Sequence, residues 1–243
     1  VKQKDISASH PTRAAGNFYG RRKAKRLKAA QAEAREAVLP HLRIDLTNSA
    51  PADLAELFEH GPRAINLEIG FGGGEHLLHS AKLFPEEGHI GCEPFINGMA
   101  KATLGIEASG ITNIRLYDED ATELLDWLPD NCLSRIDLFY PDPWPKKRHW
   151  KRRFLNGDNV KRFYRTLGDG GSFRFASDIE SYVNWGLRHV ADFKDDGGGR
   201  FEWMALKASD WHEPWPEWIS TRYEQKALRE GRRPAYFIFE KRG

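Results

Sequence analysis

Asp142 stands in the segment Pro141-Asp142-Pro143-Trp144-Pro145-Lys146-Lys147-Arg148-His149, where three prolines fall within five residues. Proline fixes φ and lacks an N–H, so neither helix nor sheet runs through such a segment and the loop is stiff. A carboxylate held there has little conformational entropy left to lose, as a positioned site residue requires. Trp144 offers a flat face for stacking a base, and the lysines and arginine behind it offer partners for phosphates. Acid, ring and bases in one rigid turn suggest a junction between a reaction centre and a polyanion track.

A second signal is Leu67-Glu68-Ile69-Gly70-Phe71-Gly72-Gly73-Gly74. An apolar run opening into glycines places Gly70 and Gly72 at a strand's carboxyl end, where ligands bind in open α/β sheets. A dinucleotide fingerprint would need glycine at the sixth position from Gly70. Glu75 stands there, a poor neighbour for a pyrophosphate. Glu93 ends the next apolar run and suits two ribose hydroxyls. Asp120-Ala121 follows the third strand, where a carboxylate accepts from an adenine amino group, and Glu68 suits a cationic methionine end. Acids at three strand ends fit a ligand with amine, hydroxyls and sulfonium and fit a triphosphate badly. As a set they point to S-adenosylmethionine.

These groups need a scaffold that delivers several loops to one crevice. Strands are expected at 64–69, 89–93, 113–117, 136–140 and 172–176, and helices at 75–84, 98–108, 122–128, 160–167 and 180–190. Such alternation builds right-handed βαβ units into one parallel sheet, an α/β fold. The fourth strand runs straight into the Asp142 loop, and Asp178 follows the fifth at the pocket rim. Beyond residue 200 the pattern changes: 201–206 and 235–240 read as strands around a polar helical stretch near 221–230. An antiparallel pair at one sheet edge would produce this. No internal repeat is present. Residues 13–37, rich in Ala, Lys, Arg and Glu, offer few large apolar groups. Residues 1–40 are therefore expected to form a flexible basic arm, and 41–243 a single domain.

The net charge of +2 over 243 residues conceals an uneven distribution. Residues 1–36 hold ten Lys/Arg against three Asp/Glu, residues 146–153 six against none, and residues 222–243 seven against three. The rest of the chain is acidic. Three basic segments on an acidic body favour a nucleic-acid partner through counterion release. No apolar run approaches the ~20 residues of a membrane span, and the first ten residues lack a secretory signal's apolar core. The chain opens on Val1, so an initiator or leader is expected to precede it. Two cysteines, Cys92 and Cys132, without a CxxC or a Cys/His grouping support neither disulfides nor a metal site. A cytoplasmic protein is expected.

With these residues in view, the sequence resembles the bacterial tRNA (guanine-N7)-methyltransferases, whose hallmark is PDPWPK(K/R)RH-x-KRR after the fourth strand. Residues 141–153 match it, with Trp150 where many members have His. The E-I-G-F-G-x-G turn appears at 68–74, and the T-x-Y-E-x-K signature as Thr221-Arg222-Tyr223-Glu224-Gln225-Lys226. Phe18-Tyr19-Gly20-Arg21-Arg22 is similar to the family's basic N-terminus, so the likeness covers nearly the whole chain.

The resemblance implies a Rossmann-like class I methyltransferase with a mostly parallel seven-stranded sheet. It implies cofactor contacts at Glu68, Glu93, Asp120 and Asp142, and guanosine or tRNA contacts at Lys146, Asp178, Thr221, Arg222, Tyr223 and Glu224. Arg148, His149, Trp150, Lys151, Arg152 and Arg153 would touch RNA, and the target would be guanine 46 of the tRNA variable loop. Guanine N7 carries no proton, so in-line displacement needs orientation and electrostatics rather than a strong base. Asp142 either holds the guanine edge or favours the charge forming on it, and the sequence leaves both roles open. Rival readings are an amino-group methyltransferase for adenine or cytosine, a non-catalytic RNA-binding protein, and a nicotinamide oxidoreductase, which Glu75 disfavours. Monomer and homodimer both remain open.

Overall fold

The computed structural model describes Gly20, Arg22, Lys23 and residues 26–243 of the chain. Expectations for residues 1–19, 21, 24 and 25 lie outside the described residues. Helix α1 (Ala29–Leu42) precedes β1 (Ile65–Ile69), α2 (Glu75–Leu83), β2 (Gly88–Cys92), α3 (Ile96–Ser109), β3 (Ile114–Tyr117) and α4 (Ala121–Trp127). Then come β4 (Leu133–Phe139), α5 (Gly157–Thr166), β5 (Leu167–Ser177) and α6 (Glu180–Ala191). The tail supplies β6 (Arg200–Trp203), the single turn α7 (Ser209–His212), α8 (Arg222–Arg229) and β7 (Ala235–Arg242).

The described strands form one sheet in the order β3-β2-β1-β4-β5-β7-β6. Strands β1 to β5 are mutually parallel, and β7 runs antiparallel between β5 and β6. The α/β class and the antiparallel C-terminal pair are thus as the sequence implies. Along β1 the period of two divides the side chains between faces. Ile65, Leu67 and Ile69 enter the larger core, with Ile136, Leu138, Phe173, Phe175, Phe237 and Phe239 from the sheet. Helices α4, α5 and α6 cover that core with Leu124, Leu125, Val160, Phe163 and Tyr182.

The other face carries a polar layer where β1, β4 and β5 adjoin. Asn66 donates to Glu87 at 2.6 Å, and Asp137 accepts from Arg174 at 2.6 and 2.8 Å and from Arg135 at 3.1 Å. Burial alone would raise the Asp137 carboxyl, but the two guanidinium groups hold it well below the usual carboxylate range.

The boundary drawn at residue 40 falls inside α1, and that helix is not a free arm. Leu39 packs with Leu77, Met99, Ile106, Ile114 and Leu116. Arg43 pairs with Asp118 at 2.8 Å, and the Ile44 N–H donates to the Leu116 carbonyl at 2.8 Å. The apolar residues of α1 are few, but they gather at its C-terminal end, where the exposed side of β3 needs covering.

Candidate active site

The parallel strands deliver their carboxyl ends to one crevice, at the point where the strand order departs from β1 in both directions. Gly72 has φ of 59°, a conformation that side chains disfavour, and its N–H donates to Glu93 Oε2 at 2.7 Å. Oε1 of Glu93 accepts from the Phe95 N–H at 2.9 Å. Gly98 in α3 passes so close that a Cβ there would stand 2.2 Å from the Gly72 carbonyl oxygen. Turn, acid and helix are therefore one unit. Burial, and then the charges of Asp142 and Glu68, push the Glu93 carboxyl up to about 7, against the two N–H donors.

Asp120 is buried at the start of α4, where its Oδ1 accepts from the Thr122 N–H at 2.9 Å; Ala121 is the first helical residue. Gly70 closes the strand end, its N–H donating to the Cys92 carbonyl at 2.8 Å. Glu68 is buried beneath the turn, with His76 Nδ1 3.4 Å from its Oε2. Glu75 heads α2 and pairs with Lys101 rather than facing a ligand.

Across the crevice β4 runs into the proline loop. Tyr140 and Trp144, with φ of 48° and 42°, bracket Pro141-Asp142-Pro143 in left-handed backbone that such residues rarely adopt. Asp142 is exposed, and its charge is felt by both Glu93 and Tyr223. The Tyr223 ring lies over the glycine turn, 3.8 Å from where a Gly72 Cβ would sit. Glu93 and Tyr223 thus meet at Gly72, within reach of the Asp142 charge.

Arg153 holds the loop from behind. It is 0% exposed, and its Nε donates to the Pro143 carbonyl at 2.9 Å. Its other nitrogens reach the Ser181 carbonyl at 2.7 Å and the Ser181 hydroxyl at 3.0 Å. The guanidinium lies against the rings of Trp150, Tyr182 and Trp185 at 4.4, 4.8 and 5.6 Å. At the rim Asp178 accepts from Arg232 at 2.5 Å. Thr221 caps α8, its hydroxyl accepting from the Glu224 N–H at 3.1 Å.

A family profile described as "Putative methyltransferase" matches residues 62–236. A tRNA (guanine-N(7)-)-methyltransferase of Chelativorans sp. (strain BNC1) is 56% identical over 96% of this chain and 99% of that one. The protein of that name from Brucella melitensis is 53% identical over 98% of this chain and all of its own. This chain belongs to the tRNA (guanine-N(7)-)-methyltransferase family. Among solved structures the 16S rRNA methyltransferase KamB shares the fold, at TM-score 0.52 and 13% identity over 80% of this chain and 94% of that one.

The structure redistributes roles within the family's motifs. Lys146, Lys147, Arg148 and Lys151 are exposed on the 3-10 helix Lys147–Arg152 and its cap. His149 is held edge-on to Trp144 at 6.0 Å; desolvation and then Arg152, Arg148 and Lys146 lower its pKa. Arg153 is not an RNA contact, because every face of its guanidinium is engaged inside the protein. Trp150 is half-buried, with Arg153 over its ring at 4.4 Å and Trp185 edge-on at 5.7 Å. Arg152 lies over Trp144 at 5.0 Å and covers one face of the ring that the sequence offers for stacking.

Glu224 also departs from its implied role. It is 3% exposed, accepting from Trp218 Nε1 at 2.9 Å and from the Tyr236 hydroxyl, so it anchors α8 rather than facing substrate. Arg222 and Tyr223, exposed beside it, remain at the crevice. His76 and Trp218 escaped the sequence reading: one histidine early in a helix and one tryptophan in a loop carry no periodic signal. Among the described residues no group of three or more His, Cys, Asp or Glu could hold a metal ion, and no helix is long and apolar enough to cross a membrane.

Proposed function

We propose that this protein transfers the methyl group of S-adenosylmethionine to N7 of guanosine 46 in the tRNA variable loop. The observation that carries the reading is the meeting of Glu93 and Tyr223 at Gly72 within reach of the Asp142 charge, in a chain more than half identical to tRNA (guanine-N(7)-)-methyltransferases. The donor set fits the cofactor. Glu93 keeps a lone pair on each oxygen beyond its two N–H bonds and accepts from the ribose hydroxyls. Asp120 and Ala121 receive the adenine edge, Glu68 faces the positively charged methionine portion, and the Gly70–Gly72 backbone permits close approach. S-adenosylmethionine supplies, when bound, a methyl group activated by a sulfonium.

The protein's own work is orientation and charge. N7 presents an in-plane lone pair without a proton, so no side chain has to remove one. Asp142, on a loop with little freedom, holds the guanine edge or offsets the positive charge that develops on the purine. Asp178, Thr221, Arg222 and Tyr223 line the guanosine side, and Lys146, Lys147, Arg148 and Lys151 carry the tRNA backbone, whose recognition is salt-dependent. A cytoplasmic setting accords with a tRNA substrate.

Incubation with methyl-labelled S-adenosylmethionine and bulk tRNA should yield 7-methylguanosine on nucleoside analysis, and a transcript with position 46 changed to adenosine should stay unlabelled. Label on an adenine or cytosine amino group would instead establish the rival amino-methyltransferase reading.

The raised pKa of Glu93 adds a pH dependence. Ribose hydroxyls donate to the carboxylate, so cofactor binding favours the ionised form and releases a proton below about 7. Affinity for S-adenosylmethionine is expected to weaken by up to about tenfold per pH unit below that value. Glu93→Gln should flatten the profile at low affinity. Calorimetric titration between pH 5.5 and 8.5, each held about half a unit apart, checks this, and a level wild-type profile would count against it.

A further inference from the structure

We infer that His76 is a positioning residue of the cofactor pocket, orienting Glu68 through Nδ1 while its ring seats Trp218 of the segment that leads into α8. The inference rests on the reading of Glu68 as a cofactor contact. His76 lies in the first turn of α2 and is 3% exposed. Its Nδ1 is 3.4 Å from Glu68 Oε2, and an ionised carboxylate only accepts, so Nδ1 carries the proton. Nε2 is buried and without a hydrogen-bond partner among the described residues. It lines a cavity of about 240 Å³ with Ser80, Arg135, Arg174 and Trp215, whose own Nε1 is likewise buried and unpartnered.

The imidazole does more than fill space. Its ring is caged edge-on by Phe139 at 4.7 Å and tilted against Trp218 at 5.2 Å, contacts that a phenyl ring would also make, but a phenyl ring would leave the buried Glu68 without its hydrogen-bond donor. The gain lies on the Nδ1 side. Glu68 is buried, and among the described residues His76 is the side chain that hydrogen-bonds it. A buried acid with one oriented donor keeps one rotamer, as a carboxylate meeting a cationic ligand requires. The second contact gives His76 a reach beyond the cofactor. Trp218 donates to Glu224 at 2.9 Å, and Glu224 adjoins Tyr223 over the glycine turn. One ring therefore touches both the acid below the turn and the segment above it.

Two substitutions separate the two jobs. His76→Phe keeps the ring in its cage and removes the donor; His76→Asn restores a short donor near Nδ1 and removes the ring. Calorimetry with S-adenosylmethionine on the full chain should show about a tenfold weaker Kd for His76→Phe. Its KM for tRNA should stay near wild type, while its Tm falls by a few degrees because the buried Glu68 loses its donor. His76→Asn should recover most of the cofactor affinity while lowering Tm and raising the KM for tRNA. Nitrogen-15 NMR of the wild-type ring should show the Nδ1-protonated tautomer.

Glu68→Gln, measured alongside, separates the two possible failures. If Glu68→Gln weakens cofactor binding and His76→Phe does not, the inference alone falls. If neither weakens it, the reading of Glu68 falls and takes the inference with it. Asparagine binding as poorly as phenylalanine, or an Nε2-protonated ring, would reduce His76 to a packing residue.

Discussion

Replacing Asp142 by alanine is expected to lower kcat by about 10²- to 10³-fold, the range typical of removing one preorganised electrostatic group. The loop's geometry supports a large effect. Left-handed backbone at Tyr140 and Trp144 on either side of the two prolines is tolerated only where surrounding contacts over-determine it. That backbone aims Asp142 at a point where its charge already acts on Glu93 and Tyr223. Asn at this position separates the two candidate roles. Asparagine keeps an acceptor for the guanine N–H edge and loses the charge, so a rate near wild type assigns edge recognition and a rate near that of alanine assigns charge stabilisation.

A second readout follows from the same contact. Asp142 raises Glu93, so both variants should move the pH midpoint of cofactor affinity downward. Single-turnover kinetics with saturating tRNA and calorimetry across pH measure the two effects independently. An alanine variant with full kcat and only altered cofactor affinity would remove Asp142 from the reaction.

Much of this arrangement was readable from the sequence because its signals are local. Glycines after a short apolar run, acids at strand ends and prolines in a cluster act within a few residues. The strands expected at 64–69, 89–93 and 113–117 accordingly lie within a residue or so of Ile65–Ile69, Gly88–Cys92 and Ile114–Tyr117. What remained hidden depends on distant partners. Arg153 closes a run of bases that looks uniform; its inward turn is set by Ser181 and Tyr182, 28 and 29 positions later, at the start of α6. Glu224 sits in a polar helix and reads as exposed, yet Trp218 and Tyr236 draw it inward from a loop and from β7. The docking of α1 rests on Leu39 and on the pairing of Arg43 with Asp118, which no helical periodicity in 13–37 announces. Local signals therefore give the turns and strand ends, and only the packing shows which of the motif side chains face inward.

Arg153 gives the sharpest test of that distinction. Alanine there would leave the Pro143 carbonyl and both Ser181 oxygens without their donor and open a void among Trp150, Tyr182 and Trp185. Unmatched buried acceptors and a large-to-small change together cost about 3–5 kcal/mol, so the variant is expected to lose thermal stability measurably by calorimetry. Lysine is the informative substitution. It keeps the charge but has neither the planar fork nor the flat face, so it cannot hold Pro143 and Ser181 together while stacking on tryptophan. Arg153→Lys should fold and lose roughly 10- to 100-fold in kcat as the Asp142 loop loosens.

Its tRNA affinity, by contrast, should keep the wild-type dependence on salt. Arg148→Ala and Lys151→Ala are the complementary pair: each should reduce the slope of log affinity against log salt by about 0.7–0.9 and leave kcat at saturating tRNA nearly unchanged. The opposite pattern, an Arg153→Ala variant that folds with full kcat and a reduced salt slope, would make Arg153 a phosphate contact after all. The expected pattern follows from burial: a guanidinium with no exposed surface has no counterions to release, so its contribution must reach the reaction through the loop it holds.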